Sequence, residues 1–476
     1  MNYSVSFVSL GCDKNLVDSE HMLGLLNQGG FTLTGDEANT DVIVVNTCCF
    51  INDAKDESVE TILDVSKYKH EGKCKALIVT GCMAQRYKQE ILDEIEEVDA
   101  VVGTTSYDKI VDIANGILEQ KGLRTQTFDI IDREFVDDMP RILSTAGYFA
   151  YVKIAEGCDK HCTYCIIPKL RGKYRSRREE KIIEEIKGLA ANGVSEVILV
   201  AQDTTEYGKD LGNTSLAQLL HKIGEIEGIE WIRVLYCYPE SITDELIEEI
   251  KTNPKVCKYL DIPIQHASTN VLKRMARKSS YEELIERIGK LRKEVPDIAL
   301  RTTLIVGFPG ETEEDFEHLY KFVKDMRFDR LGVFTYSQEE DTPAAAFENQ
   351  VPEEVKVKRR DAIMALQNRI SSELTAAKIG KTMRVLVEAK ITDEDVYIGR
   401  TYQDAPEIDG EVFIEYDGEL ISGDYVDVEI TSANDYDLIG KLANQDLLVE
   451  TEVVDVDGDI ISAIDDDIRK EISKNE

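Results

Sequence analysis

Three cysteines crowd one short loop. Cys158, Cys162 and Cys165 stand in the run EGCDKHCTYCIIPKLRG, with three residues between the first pair and two between the second. Thiolates hold iron–sulfur clusters, and a cubane usually takes four of them. This loop offers three, so a cubane held here keeps one iron without a protein ligand, open to a further molecule. The competing reading is a zinc knuckle, which favours C-x2-C pairs and a closed set of four ligands. His161 lies inside the loop, but it adjoins Cys162, where it does not readily close a tetrahedron with all three thiolates.

The rest of the chain must supply a scaffold for such a site. Its 476 residues suggest about three domains. A hydrophobic content of 42 % and a charged content of 31 % are ordinary for a globular protein. No stretch approaches the ~20 apolar residues of a membrane span. The start, MNYSVSFVSLGC, has neither a basic region nor a long apolar core, so it reads as a buried strand rather than a signal peptide. A cytoplasmic location is expected, and ten cysteines in such a chain argue for metal or redox chemistry over disulfides.

Apolar patterning divides the chain into an α/β protein of three domains and a tail. Residues 1–137 alternate buried strand patterns (VSFVSLG, DVIVVNT, KALIVTG) with amphipathic helices, which predicts a parallel sheet. Residues 138–377 carry six strand candidates, YFAYVKIAEG, SEVILVAQD, WIRVLYCYP, YLDIPIQ, IALRTTLIVGFPG and LGVFTYS, separated by helical patterns. Six βα units predict an open, partial TIM-like barrel with its site at the carboxyl ends of the strands. The cysteine loop follows the first of these strands. A long connecting helix is expected over 353–379. Residues 378–448 change to short strands broken by Gly and Asp, the pattern of a small antiparallel β-barrel. Residues 449–476 form an acidic tail with weak or induced order.

A second trio emerges from this frame. Cys12, Cys48 and Cys82 are far apart in sequence, yet each ends a predicted parallel strand, as SLG-Cys, VNT-Cys and VTG-Cys. Ligands of open α/β sheets bind at the carboxyl ends of strands. Gly11, Thr47 and Gly81 leave room beside them. Three thiolates again imply a cubane with an open iron; the alternative is buried structural cysteines. Cys49, Cys74, Cys237 and Cys257 read as packing residues.

The motifs SLGCDKNLVDSE, NTCCFINDA, TGCMAQRY and KIAEGCDKHCTYCIIPKLRGKYRSR resemble those of the methylthiotransferase family of radical S-adenosylmethionine (SAM) enzymes. The resemblance covers the chain except its acidic tail. It implies a three-cysteine N-terminal domain, a radical SAM barrel and a C-terminal, OB-like TRAM barrel. The start LGC-x-KNLVDSE resembles the RimO-like branch, which adds a methylthio group to the β-carbon of an aspartate in small-subunit ribosomal protein S twelve. The alternative is a MiaB-like tRNA adenosine methylthiotransferase.

The resemblance further implies two [4Fe–4S] clusters, with SAM as both radical source and methyl donor and a cellular reductant as partner. Cys158, Cys162 and Cys165 would generate the radical; Cys12, Cys48 and Cys82 would present sulfur. Tyr164 resembles the aromatic whose backbone lies near the SAM adenine. Gln202 and Asp203 resemble the position that receives the SAM ammonium. Gln265 and Arg301 are candidates for ribose or carboxylate contacts, and Gly307, with Gly310, for close backbone approach. Asp341, in YSQEEDTPA, stands where many relatives carry Gly, which leaves the shape of that loop open.

Charge bears on the substrate. The chain carries 56 basic and 92 acidic residues, for a net charge of −36. Between Lys378 and Asp446 there are six basic and seventeen acidic residues. Such a surface repels phosphate backbones and suits a basic ribosomal protein over tRNA. The run LRGKYRSRR (170–178) reads either as a substrate contact or as a connector neutralised by acidic neighbours.

Overall fold

A computed structural model describes residues 3–120 and 122–443. The expected tail (449–476) and the last residues of the expected β-barrel domain (444–448) lie outside them.

The N-terminal strands Ser4–Ser9, Val42–Thr47 and Ala76–Gly81 pair in parallel at the centre of a six-stranded sheet. The flanking strands Thr32–Leu33, Ala100–Val102 and Thr125–Thr127 complete it. These were not expected, because two or three residues are too few to show a period. Val42–Thr47 and Ala76–Gly81 are buried along their whole length, as central parallel strands with both faces covered must be. After Ala76–Gly81 the chain forms two short helices, Cys82–Tyr87 and Gln89–Glu94, parted at Lys88, whose backbone takes φ 44°.

The six barrel strands form as two parallel three-stranded sheets. Trp231–Val234 with Glu196–Val200 and Phe149–Lys153 make one; Tyr259–Asp261, Ala299–Val306 and Arg330–Thr335 make the other. The bridge Ile232–Val256 joins them into an open barrel. Side chains alternate across it. Ala150, Val152, Val197 and Leu199 pack outward on the helices, while Phe149, Tyr151, Ile198, Val200 and Tyr259 fill the interior.

The helix Glu353–Ala376 leads to a closed barrel of five strands. Four of its pairings are antiparallel, but Val412–Glu415 and Leu438–Leu442 run parallel. A closed ring with an odd number of strands cannot alternate direction throughout, so one parallel pair is obligatory. This barrel plugs the larger one. Leu386 and Ala405 join the interior of the βα barrel, and Arg330 pairs with Asp404. Among the described residues no helix is long and apolar enough to cross a membrane.

A buried ionic triad fixes that junction. Glu196, Arg233 and Arg400 are at most 1 % exposed. Arg233 donates to Glu196 at 2.8 Å and Arg400 pairs with the other carboxylate oxygen. Removing one partner of such a set strands the remaining charges in a low-dielectric interior. Glu196→Ala therefore leaves the Arg233 guanidinium without its carboxylate and Arg400 with Glu388 alone. The midpoint of denaturant unfolding should fall, with a loss of about 3–5 kcal/mol; an unchanged midpoint would show that the triad does not hold the two barrels together.

Candidate functional site

Cys12, Cys48 and Cys82 follow three neighbouring strands of the N-terminal sheet, close enough to act on one another electrostatically. Gly11 (φ 91°) and Gly81 (φ 93°) occupy backbone conformations that side chains disfavour. A Cβ on Gly11 would lie 2.8 Å from Cys48 Cβ, and one on Gly81 would collide with Asn46 and Thr47. Glycine is thus what lets the Cys12 and Cys48 segments touch. Burial raises the Cys48 thiol to about 11, with Cys82 and Cys12 adding to the effect through their own charge. Cys82 is raised in the same way, first by burial and also by Cys12.

Asn15 organises this trio, and sequence reasoning overlooked it. Its amide donates to Leu10 O and Thr47 O, both at 2.9 Å, tying together the strand ends that present Cys12 and Cys48. Its Oδ1 lies 4.0 Å from Cys82 Sγ and accepts from Arg171 at 2.5 Å. Asn46 locks Asn15 in turn, donating to its carbonyl at 2.9 Å. Asn15 sits inside the motif SLGCDKNLVDSE, so the signal was present but was taken only as a family signature.

The second trio lies on the loop between Ala155–Glu156 and the helix Ile167–Arg171. Backbone N–H groups of Lys160 and Ile167 point to Cys158 Sγ and Cys165 Sγ at 3.4 Å. Burial pushes the Cys158 thiol up to about 11 and Cys165 well above its usual range; Cys162 acts on both, and Cys158 on Cys165. Thr163 clamps the loop to the barrel through Arg274 O at 2.8 Å and Met275 O at 3.1 Å. His161 is exposed while Cys158 and Cys162 are buried. Among the described residues no three His, Cys, Asp or Glu side chains are set to share a single ion. A cubane takes each thiolate at a different corner and so spaces its ligands more widely.

Two structural links bring the trios to one end of the barrel. The first is the segment leaving Trp231–Val234. Tyr236 donates its hydroxyl to Asp13, next to Cys12, at 2.8 Å, and carries Lys14 3.2 Å above its ring. Two residues on, Tyr238 Oη lies 3.9 Å from Cys162 Sγ. The second is the helix Ile167–Arg171, which starts two residues after Cys165 and packs through Leu170 into the core that holds Cys82. Arg171 is 2 % exposed and faces Cys82. It donates to Asp18 at 2.7 Å and Glu156 at 3.1 Å, and Lys153 bridges the same two carboxylates.

The other site residues anticipated from sequence fall in varied settings. Gln202 donates to Glu156 at 2.7 Å, while its buried Oε1 has no partner among the described residues. Asp203 is buried, bonded to Thr205 and paired with Lys160 at 3.1 Å; burial raises its carboxyl. Tyr164 packs against the apolar group of Val271, Met275 and Phe308, and burial raises its hydroxyl. Gln265 adopts φ 69° where it bridges to Leu304. Gly307 (φ 73°) donates its N–H to Glu311 and lies against Lys356. Arg301 is engaged by Asp261 at 3.0 Å and Asp409 at 3.4 Å.

In the run 170–178 the arginines are neutralised: Arg175 pairs with Asp132, Arg177 with Glu185 and Arg178 with Asp137. Asp341 holds the left-handed backbone (φ 64°) that glycine favours, which Asp tolerates better than most residues. Its loop clasps both the N-terminal domain and the helix after the cysteine loop. Lys169 donates to Asp341 O and Arg86 to Glu340 O, both at 2.8 Å. Cys49, Cys74, Cys237 and Cys257 are buried.

Three family models match parts of this chain. The Radical SAM superfamily matches residues 152–323, the uncharacterized protein family UPF0004 residues 4–103, and the TRAM domain residues 379–442. A relative from Lachnoclostridium phytofermentans named ribosomal protein uS12 methylthiotransferase RimO is 57 % identical over 92 % of this chain and 99 % of its own. A protein of the same name from Clostridioides difficile is 53 % identical over 92 % and 98 %. Among solved structures, the radical SAM methyltransferase TsrM from Kitasatospora setae shares the fold, with a TM-score of 0.53 at 13 % identity over 72 % of this chain and 74 % of that one. The chain belongs to the radical SAM enzymes and, within them, to the RimO family of methylthiotransferases.

Proposed function

We propose that this protein adds a methylthio group to the β-carbon of an aspartate in ribosomal protein uS12, in the cytoplasm, using two [4Fe–4S] clusters and SAM. The observation that carries the reading is the segment Tyr236–Tyr238, which touches the Cys12 loop at one residue and Cys162 at another. Two thiolate trios on one strand end suit a reaction that opens a C–H bond and then delivers sulfur to the same carbon. When bound, the clusters and SAM supply a hydrogen-abstracting radical, the sulfur and the methyl group.

The chain's own residues hold and orient. Cys158, Cys162 and Cys165 anchor one cluster; Cys12, Cys48 and Cys82 anchor the other. Gln202 offers its unpartnered Oε1 to the SAM ammonium, with Glu156 fixing its amide. Tyr164, Asp203, Gln265 and Gly307 line the same strand ends. Arg301 acts indirectly: it holds Asp261, whose other oxygen accepts the Tyr236 N–H at 3.1 Å. The deficit of basic residues in the C-terminal barrel supports a basic protein over tRNA as substrate.

Iron and sulfide analysis tests the two-cluster reading. The anaerobically reconstituted chain should hold about eight irons, falling to about four when either trio is changed to Ala. An unchanged count in either triple variant would sink it. Activity separates the roles. The Cys158/Cys162/Cys165 variant should lose SAM cleavage to 5′-deoxyadenosine, whereas the Cys12/Cys48/Cys82 variant should retain some cleavage and form no methylthio product. Mass spectrometry of uS12 and of tRNA after incubation with the enzyme decides the substrate: the methylthio mass should appear on uS12, and its appearance on tRNA alone would reverse the assignment.

A further inference from the structure

Arg277 is a buried cation that forms no salt bridge among the described residues. It is 5 % exposed, on the turn after the helix Thr269–Arg274, the turn that clamps Thr163 of the cysteine loop. Its Nη2 donates to Pro263 O at 3.0 Å, and its guanidinium lies 4.1 Å over the Tyr238 ring. Nε and Nη1 have no acceptor among the described residues. Among the charged and titratable groups that act on it are Tyr164, Tyr238, Cys162, Glu240 and Cys165. Arg171, beside the other trio, differs: Asp18, Glu156 and Asn15 all accept from it.

A guanidinium cannot shed its proton, and buried charges persist only when something completes them. The two free N–H donors belong to a guanidinium that acts on Cys162 and covers the ring of Tyr238, whose Oη is 3.9 Å from Cys162 Sγ. A cubane on three thiolates is anionic, and its negative charge grows by one on reduction. Charge and hydrogen bonds at its sulfurs set how readily it accepts that electron.

We propose that Arg277 is the counter-charge of the Cys158–Cys162–Cys165 centre, donating Nε–H and Nη1–H toward its sulfurs and favouring the reduced state. One electron enters from a low-potential reductant; no bond forms or breaks. The inference rests on the reading that this trio holds a cluster.

The test uses the full chain with Cys12, Cys48 and Cys82 changed to Ala, so that one centre remains. An anaerobic dithionite titration, read by electron paramagnetic resonance without SAM, compares Arg277 with Arg277→Lys and Arg277→Gln. Iron and sulfide per chain should be unchanged. The reduced-to-oxidised ratio at fixed potential should fall about tenfold in Arg277→Gln, the equivalent of one charge-assisted hydrogen bond. Arg277→Lys should fall in between, since it keeps the charge but not the two-donor fork. A wild-type ratio in an iron-loaded Arg277→Gln overturns the proposal, as does a variant altered only in SAM affinity. Should Arg277→Gln fail to load iron, a wild-type ratio in Arg277→Lys overturns it. A parent chain that binds no iron overturns the cluster reading itself, and this inference with it.

Discussion

The architecture depends on a knot of buried charge where the N-terminal domain meets the first barrel strand. Asp18 comes from the helix Asp13–Gln28, Lys153 and Glu156 from the barrel strand and its exit, and Arg171 from the helix after the cysteine loop. All four are at most 6 % exposed. No member can leave without stranding the others, because an unpaired charge in this interior is costly. Such a set adds little net stability over an apolar core, but it admits few alternative arrangements. It fixes the distance and angle between two cysteine trios that belong to different domains.

Function builds outward from that knot. Arg171 reaches Cys82 on one side, and Glu156 holds Gln202 on the other. The same few side chains therefore touch the Cys12–Cys48–Cys82 trio and the candidate SAM site. The clasp of Asp341 and Glu340 on Lys169 and Arg86 closes the junction from the far edge of the open barrel. At the opposite end, the Glu196–Arg233–Arg400 triad applies the same physics to seat the small barrel.

Much of this was legible in the residues. Six barrel strands and three central N-terminal strands announce themselves because buried parallel strands are nearly continuous apolar runs. The five strands of the small barrel show a period of two. The cysteines show as well, since strand-end positions can be read once the strands are known. The short edge strands were missed because they have no room for a period. Asn15, Asp18, Glu156 and Arg171 were missed for another reason: polar residues inside a motif carry no mark of what they pair with, and several partners lie tens to more than a hundred residues away.

By itself the sequence determined the element order, the positions of the two cysteine trios and the acidic character of the C-terminal barrel, because these depend on local pattern and composition. Only the tertiary structure decided that Tyr236 and Tyr238 serve both trios, that Arg301 is held by carboxylates, that most of the basic run is neutralised and that Arg277 is left unpaired. Those outcomes depend on which charges become neighbours when distant segments are buried together, and no periodicity along the chain encodes that.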